Sequence, residues 1–271
     1  MRLRLGTELS YQFEVPTPMI VMLNVHPSAA AALEYPDTLL TNPFVPVTPY
    51  QDAFGNNCCR LVAPPGPFTL GTRTVTWDDG LPDPIDLDAV QHPVEDIPSD
   101  ALLYLLGSRY CETDKLMDEA WRLFGNSPPG WARAQTICDF VNRYLTFNYQ
   151  LASPTRSAAE AYRGGVGVCR DFAHLAVTFC RAMNIPTRYC TGYITDVGEP
   201  PPYAMMDLAA WMEVYLGGRW HVFDPRNNKR RIGRILIARG RDAADVPLTH
   251  TFGPNILTGF NVVAEEIAAA V

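Results

Sequence analysis

A glycine-rich loop that runs straight into a cysteine constrains this chain more than any other stretch: Gly164-Gly165-Val166-Gly167-Val168-Cys169-Arg170-Asp171-Phe172-Ala173-His174-Leu175-Ala176. From Cys169 onward, apolar residues recur at helical spacing (Phe172, Leu175, Ala176, Phe179, Cys180, Met183), so the cysteine starts a helix that ends near Asn184-Ile185-Pro186. The first turn of a helix has unpaired N–H groups and a partial positive charge, which favour thiolate over thiol. The glycines let the backbone turn tightly and let a substrate reach the sulfur. A lone cysteine is ordinarily a small buried hydrophobe. Here loop and helix start coincide, and Cys169 reads as a nucleophile.

The rest of the composition sets bounds. With 271 residues the chain can build two modest domains or one large one. A net charge of −7 and a pI near 5.2 argue against nucleic acid as a partner, and the basic residues 226, 229, 230, 231, 234, 239 and 241 read as a solvated face. No apolar run is long enough to span a membrane, and the N-terminus lacks the apolar core of a signal peptide. The seven cysteines show neither a disulfide framework nor paired zinc spacing, so reduced thiols and a cytoplasmic location are expected. No loop of calcium-binding pattern occurs, and no cofactor or metal is expected.

Residues 1 to about 80 alternate in the manner of strands, as in Leu9, Tyr11, Phe13 and Val15, with a turn over 52–57 and further strands at 58–62 and 72–77. Cys58 and Cys59, adjacent in a strand, are expected to face inward and outward. The acidic, proline-rich stretch 81–100 marks a boundary, giving a β-rich N-terminal module over 1–98 and a second domain over 99–271. Helical patterns follow over 115–124 and after Pro128-Pro129, with Met117, Trp121 and Trp131 assigned to the core, and Ser157 to Glu160 forms a capping box. Strands resume over 188–195, 210–216, 219–223 and 232–238, with Gly217-Gly218 as a hairpin turn.

Four segments in order resemble the bacterial transglutaminase-like cysteine proteases: Val166 to Leu175, Arg188 to Tyr193, Ala210-Trp211-Met212-Glu213-Val214-Tyr215-Leu216, and Trp220-His221-Val222-Phe223-Asp224-Pro225. The resemblance implies an α+β fold, with an antiparallel β module followed by a papain-like core of helices on an antiparallel sheet. It also implies a cysteine nucleophile at a helix start, a histidine on a following strand and an aspartate orienting it. Cys169 matches the nucleophile and Asp224 the orienting carboxylate. The family strand begins His-Ala-Trp, and Trp211 places that histidine at Ala209, which has no titratable group.

The five histidines offer no evident substitute. His221 lies at an odd separation from Asp224, His174 is about 140° around the helix from Cys169, and His26, His92 and His250 have no pattern that places them at the site. Cys169 and Asp224 are expected to line one cleft with Ala209 facing the gap between them. Gly167, Arg170, Asp171 and Trp211 are expected to shape it, with Arg170 favouring the thiolate, Asp171 capping the helix and the Cys169 N–H serving an oxyanion hole. Two functions follow. One is a peptidase or amidase working through a thioester on Cys169, which Ala209 handicaps because general acid–base help contributes roughly 10²- to 10⁴-fold. The other is a non-catalytic descendant whose cleft binds a peptide or protein.

Overall fold

In the first strand Leu3, Leu5, Leu9, Tyr11 and Phe13 are buried while Arg4, Glu8 and Gln12 are exposed, the two-residue period of a half-buried strand. The structure, a computed structural model, describes residues 1–203 and 206–267. It begins with β1 (Arg2–Phe13), β2 (Thr17–Val21), β3 (Leu40–Asn42), β4 (Thr48–Gln51), β5 (Asn57–Ala63) and β6 (Gly66–Trp77). Then come α1 (Ser99–Leu102), α2 (Thr113–Phe124), α3 (Trp131–Tyr144), β7 (Thr146–Phe147), α4 (Ala158–Gly164), β8 (Val166–Gly167) and α5 (Cys169–Ala182). The chain continues through β9 (Thr187–Ile194), β10 (Ala209–Leu216), β11 (Arg219–Phe223), β12 (Arg234–Gly240), β13 (Thr249–Thr251) and β14 (Asn255–Ile267). Among the described residues the fold is α+β, with three four-stranded antiparallel sheets, a short parallel pair of β7 and β8, and the helices gathered against one of the larger sheets.

Two sheets, ordered β14-β1-β6-β3 and β13-β2-β5-β4, enclose a core that includes Phe13, Met19, Leu61, Phe68 and Leu70. The third sheet, β11-β10-β9-β12, lays one face on α5. A further cluster joins the two halves, bringing Leu3, Leu5, Met22 and Cys58 against Ala173, Tyr193, Ala210 and Ile237. A buried hydrogen bond of 2.8 Å between Thr7 Oγ1 and Tyr193 Oη crosses the same contact.

The last strands change the expected division at residue 98. Thr249–Thr251 pairs with β2, and Asn255–Ile267 pairs along the whole of β1, so the C-terminal segment completes both sheets of the N-terminal module. The acidic stretch is likewise bound to its surroundings. Asp83 accepts from Arg234, Ala89 O from Trp131 N, and Val90 O from Gly217 N. Cys58 and Cys59 do point to opposite faces, but both are buried, because each face of β5 meets a core: Cys58 joins the cluster between the halves and Cys59 the core between the two sheets. Trp131 packs in the helical core, whereas Trp121 and Met117 are exposed, since α2 turns only Leu116, Ala120 and Phe124 inward.

Glycine is required at one place in the third sheet. A Cβ on Gly192 would lie 2.1 Å from Ile235 O and 2.9 Å from Trp211 Cη2, and β12 shifts register opposite it, between Leu236 and Ala238. Gly192→Ala is therefore expected to lower stability by about 2–4 kcal/mol, read as a lower urea midpoint with the slope unchanged.

Candidate functional site

Cys169 begins α5 because Val168 before it is extended and the Asp171 carboxylate, at the third helical position, accepts the Val168 N–H at 2.9 Å. Asp171 is buried and also accepts from Arg156 Nη1 at 3.0 Å. A Cβ on Gly167 would lie 2.6 Å from Asp171 Cβ, so this glycine permits the loop to pack on its own helix rather than opening a path to the sulfur. The capping box at Ser157 forms, and α4 closes on Gly165 in the left-handed region at φ 65°. Loop and helix start are thus set by short-range hydrogen bonds.

The Cys169 side chain lies in a cleft of about 120 Å³ together with Ala209, the first residue of β10. The mostly apolar wall includes Phe147, Ile194 and Leu208, and the polar groups are Tyr149, Asp196, Asp207, Arg226, Asn227 and Arg231. No histidine is among the described residues lining the cleft. His174 is buried between Tyr110 and Tyr189, with Nε2 accepting from Ala243 N, and His221 is buried with Nε2 bonded to Leu216 O. His250 sits on β13 in register with Ile20, His26 caps a short helical turn, and His92 accepts from Gly218 N.

Of the residues singled out in the sequence, the cleft brings together Cys169 and Ala209 and leaves the others outside its lining. Asp224 is buried and turned to its own chain: its carboxylate accepts from Asn227 N at 2.9 Å, Asn227 Nδ2 at 2.8 Å, Arg226 N at 3.2 Å and Arg234 Nη2 at 3.1 Å. Four donors leave it little capacity to hold an imidazole. The Arg170 guanidinium bonds Pro154 O and Ser153 O and lies over the Tyr110 ring, so it does not serve the sulfur. Trp211 is buried under Arg234, whose Cζ is 4.8 Å from the ring centroid.

The thiol is not activated. Loss of hydration and then the Asp207 carboxylate push it up to about 11, against the opposing pull of the Ala210 and Arg170 N–H groups and the Arg226 guanidinium. The helix-start argument expects the reverse, and it fails because desolvation and a neighbouring anion outweigh the first-turn donors. Asp207 is itself bound by Tyr149 Oη at 2.5 Å and Leu208 N at 2.7 Å, and burial, then this partnership, raises the Tyr149 phenol. Asp207→Asn removes the anion while preserving the acceptor oxygen. The Cys169 transition is expected to fall by about one pH unit, measured as the pH profile of iodoacetamide alkylation.

Asp207, Tyr149, Arg226 and Asn227 were not visible as site residues in the sequence. Arg226 lay within the basic cluster 226–241, which read as a solvated face, and Asp207 stands two residues before Ala209. The pairing of Tyr149 with Asp207 spans 58 positions and leaves no local pattern.

Comparison with known proteins locates this arrangement. Residues 121–225 match the family described as the Transglutaminase-like superfamily. An uncharacterized protein of Mycobacterium leprae is 36% identical over 117 residues, covering 40% of this chain. One of Mycobacterium tuberculosis strain H37Rv is 35% identical over 127 residues, covering 42% of this chain. In each case the match covers 40% of the relative's length. The crystal structure of a Cytophaga hutchinsonii protein, named provisionally as a cysteine protease, superposes with a TM-score of 0.84 at 26% identity, covering 100% of this chain and 92% of that one. Sequence match and whole-chain superposition together show a transglutaminase-like core, of the Transglutaminase-like superfamily, joined to a β-rich N-terminal module.

Proposed function

We propose that this chain is a non-catalytic, peptide- or protein-binding descendant of the transglutaminase-like cysteine hydrolases. One observation carries the reading: Ala209, the position that the resemblance gives to the family's histidine, lines the same cleft as Cys169, and no described residue lining the cleft supplies another imidazole. Amide cleavage needs a proton taken from the thiol and another given to the departing amine. A methyl group does neither, and an arginine, charged at all ordinary pH, cannot substitute. The raised thiol and the Asp224 carboxylate committed to Arg234 and Asn227 support the same reading. The seven free thiols support a reducing, cytoplasmic setting.

A second reading is favoured by a specific feature. Cys169 is the one cysteine of the seven that is not buried, and the Ala210 N–H beside its sulfur offers a second donor for an oxyanion hole. Under that reading the chain is a peptidase or amidase that forms a thioester on Cys169. Ammonia release from a blocked glutamine dipeptide separates the two. The binding reading expects no release above a Cys169→Ala control, together with slower Cys169 alkylation in the presence of a bound peptide. Release that requires Cys169 in the wild type would replace it with the hydrolase reading.

A further inference from the structure

The cleft beside Cys169 carries one arginine, Arg226, with no carboxylate within ion-pair distance among the described residues. Of its anions, Asp196 pairs with Arg231 at 3.1 Å, while Asp207 keeps its charge and is held by the neutral donors Tyr149 Oη and Leu208 N. Among the late basic residues, Lys229, Arg231, Arg234 and Arg241 each have a carboxylate within ion-pair distance. Arg226 has none among the described residues. Its side chain bonds only Asn227 Oδ1, through Nη1 at 2.5 Å, and its Cζ lies 4.4 Å from the Phe147 ring centroid. The remaining guanidinium donors are left for another acceptor.

Its position is fixed from two sides. Arg226 stands three residues past the end of β11, in the turn that follows Phe223, and lines the same cleft as Ala209. The turn that carries it is held by the Asp224 carboxylate and by Asn142 of α3, whose Nδ2 donates to Pro225 O at 3.1 Å and to Arg226 O at 2.8 Å. A half-buried guanidinium stacked on an aromatic ring, on a pinned turn, loses little further freedom on meeting a planar anion, and it matches a carboxylate with two parallel N–H donors. At about 120 Å³ the cleft has room for a small side chain or chain end.

We propose that Arg226 is a specificity-determining residue that anchors a ligand carboxylate next to Cys169, so that the occupant is a peptide presenting an acidic side chain or its free C-terminus. This rests on the binding reading of the cleft. In that arrangement the site keeps a positive charge in the same cleft as Ala209, and the charge serves recognition instead of proton transfer.

The test compares two small alkylating probes on the intact chain, iodoacetate and iodoacetamide, at pH 9, with modification mapped to Cys169; the other six cysteines are buried. Both probes need the thiolate, so the ratio of their rates cancels the thiolate fraction. An imidazolium behind a low thiol transition, which would overturn the no-base reading, would raise the ratio as well, but that part survives Arg226→Gln, so the two failures are distinguished. The expected ratio of iodoacetate to iodoacetamide is about fivefold above that of N-acetylcysteinamide, a neutral reference thiol. Arg226→Gln should remove the excess and Arg226→Lys should keep part of it, both with an unchanged urea midpoint. Protection by N-acetylglutamate α-amide identifies a side-chain carboxylate, and protection by N-acetylglutamine a C-terminal one. A ratio at or below the reference, or protection by neither compound, would overturn the proposal.

Discussion

Ala209→His is expected to raise the rate of Cys169 alkylation by iodoacetamide at pH 7 by about 10²-fold or more. With the thiol pushed up to about 11, only about one molecule in 10⁴ carries a thiolate at pH 7. An imidazole at position 209 enters the same cleft and can take the thiol proton, forming an ion pair that offsets the Asp207 charge. A fall of two to three units in the transition gives that acceleration directly, because each unit changes the thiolate fraction tenfold. Amide turnover should recover less than thiol reactivity does. Asp224, which would orient the new ring, already accepts from Arg234, Asn227 and the Arg226 N–H. The measurement is the initial alkylation rate against pH, with the modified residue mapped by mass. A variant whose profile overlays that of the wild type would show that position 209 does not reach the sulfur.

Arg234→Met should be the most destabilising of the substitutions considered, at about 3–5 kcal/mol in urea unfolding. Arg234 is almost wholly buried, bonds Asp83 at 3.0 Å and Asp224 at 3.1 Å, and covers Trp211. Removing it leaves the buried Asp224 and the half-buried Asp83 without their shared cation, and breaking one partner from such a group costs more than the group contributed as a whole. The loss should also reach the cleft, since Asp224 holds the turn that carries Arg226 and Asn227. Arg234→Lys should recover part of the stability. If Arg234→Met costs less than about 1 kcal/mol, comparable with an exposed ion pair, the hub has been given too much weight.

How much of this was legible in the sequence follows the range of the forces involved. The Cys169 helix start, the Ser157 capping box and the stop at Asn184 are written in residues three or four apart, and each formed where the pattern put it. The β-rich start and the helical patterns after residue 100 were legible from the change of period, and the α+β class followed from the resemblance. The final strand was not: its pairing with β1 joins residues such as Leu5 and Ala264 across nearly the whole chain. Nor was the state of the thiol, because a helix start is local while the Asp207 charge and the loss of hydration come from tertiary packing. Asp224 was singled out through the resemblance, and its engagement with Arg234, which also donates to Asp83 from a stretch that read as a linker, left no local pattern.

The pH profile of iodoacetamide alkylation at Cys169 in the wild-type chain tests the central claim most directly. The account predicts a single transition near pH 11, and a rate at pH 7 far below that of a free thiol, which titrates at about 8.5. A transition below pH 7 that disappears on replacing one of the five histidines would contradict it, revealing a base within reach of the sulfur and an enzyme in place of a binding site.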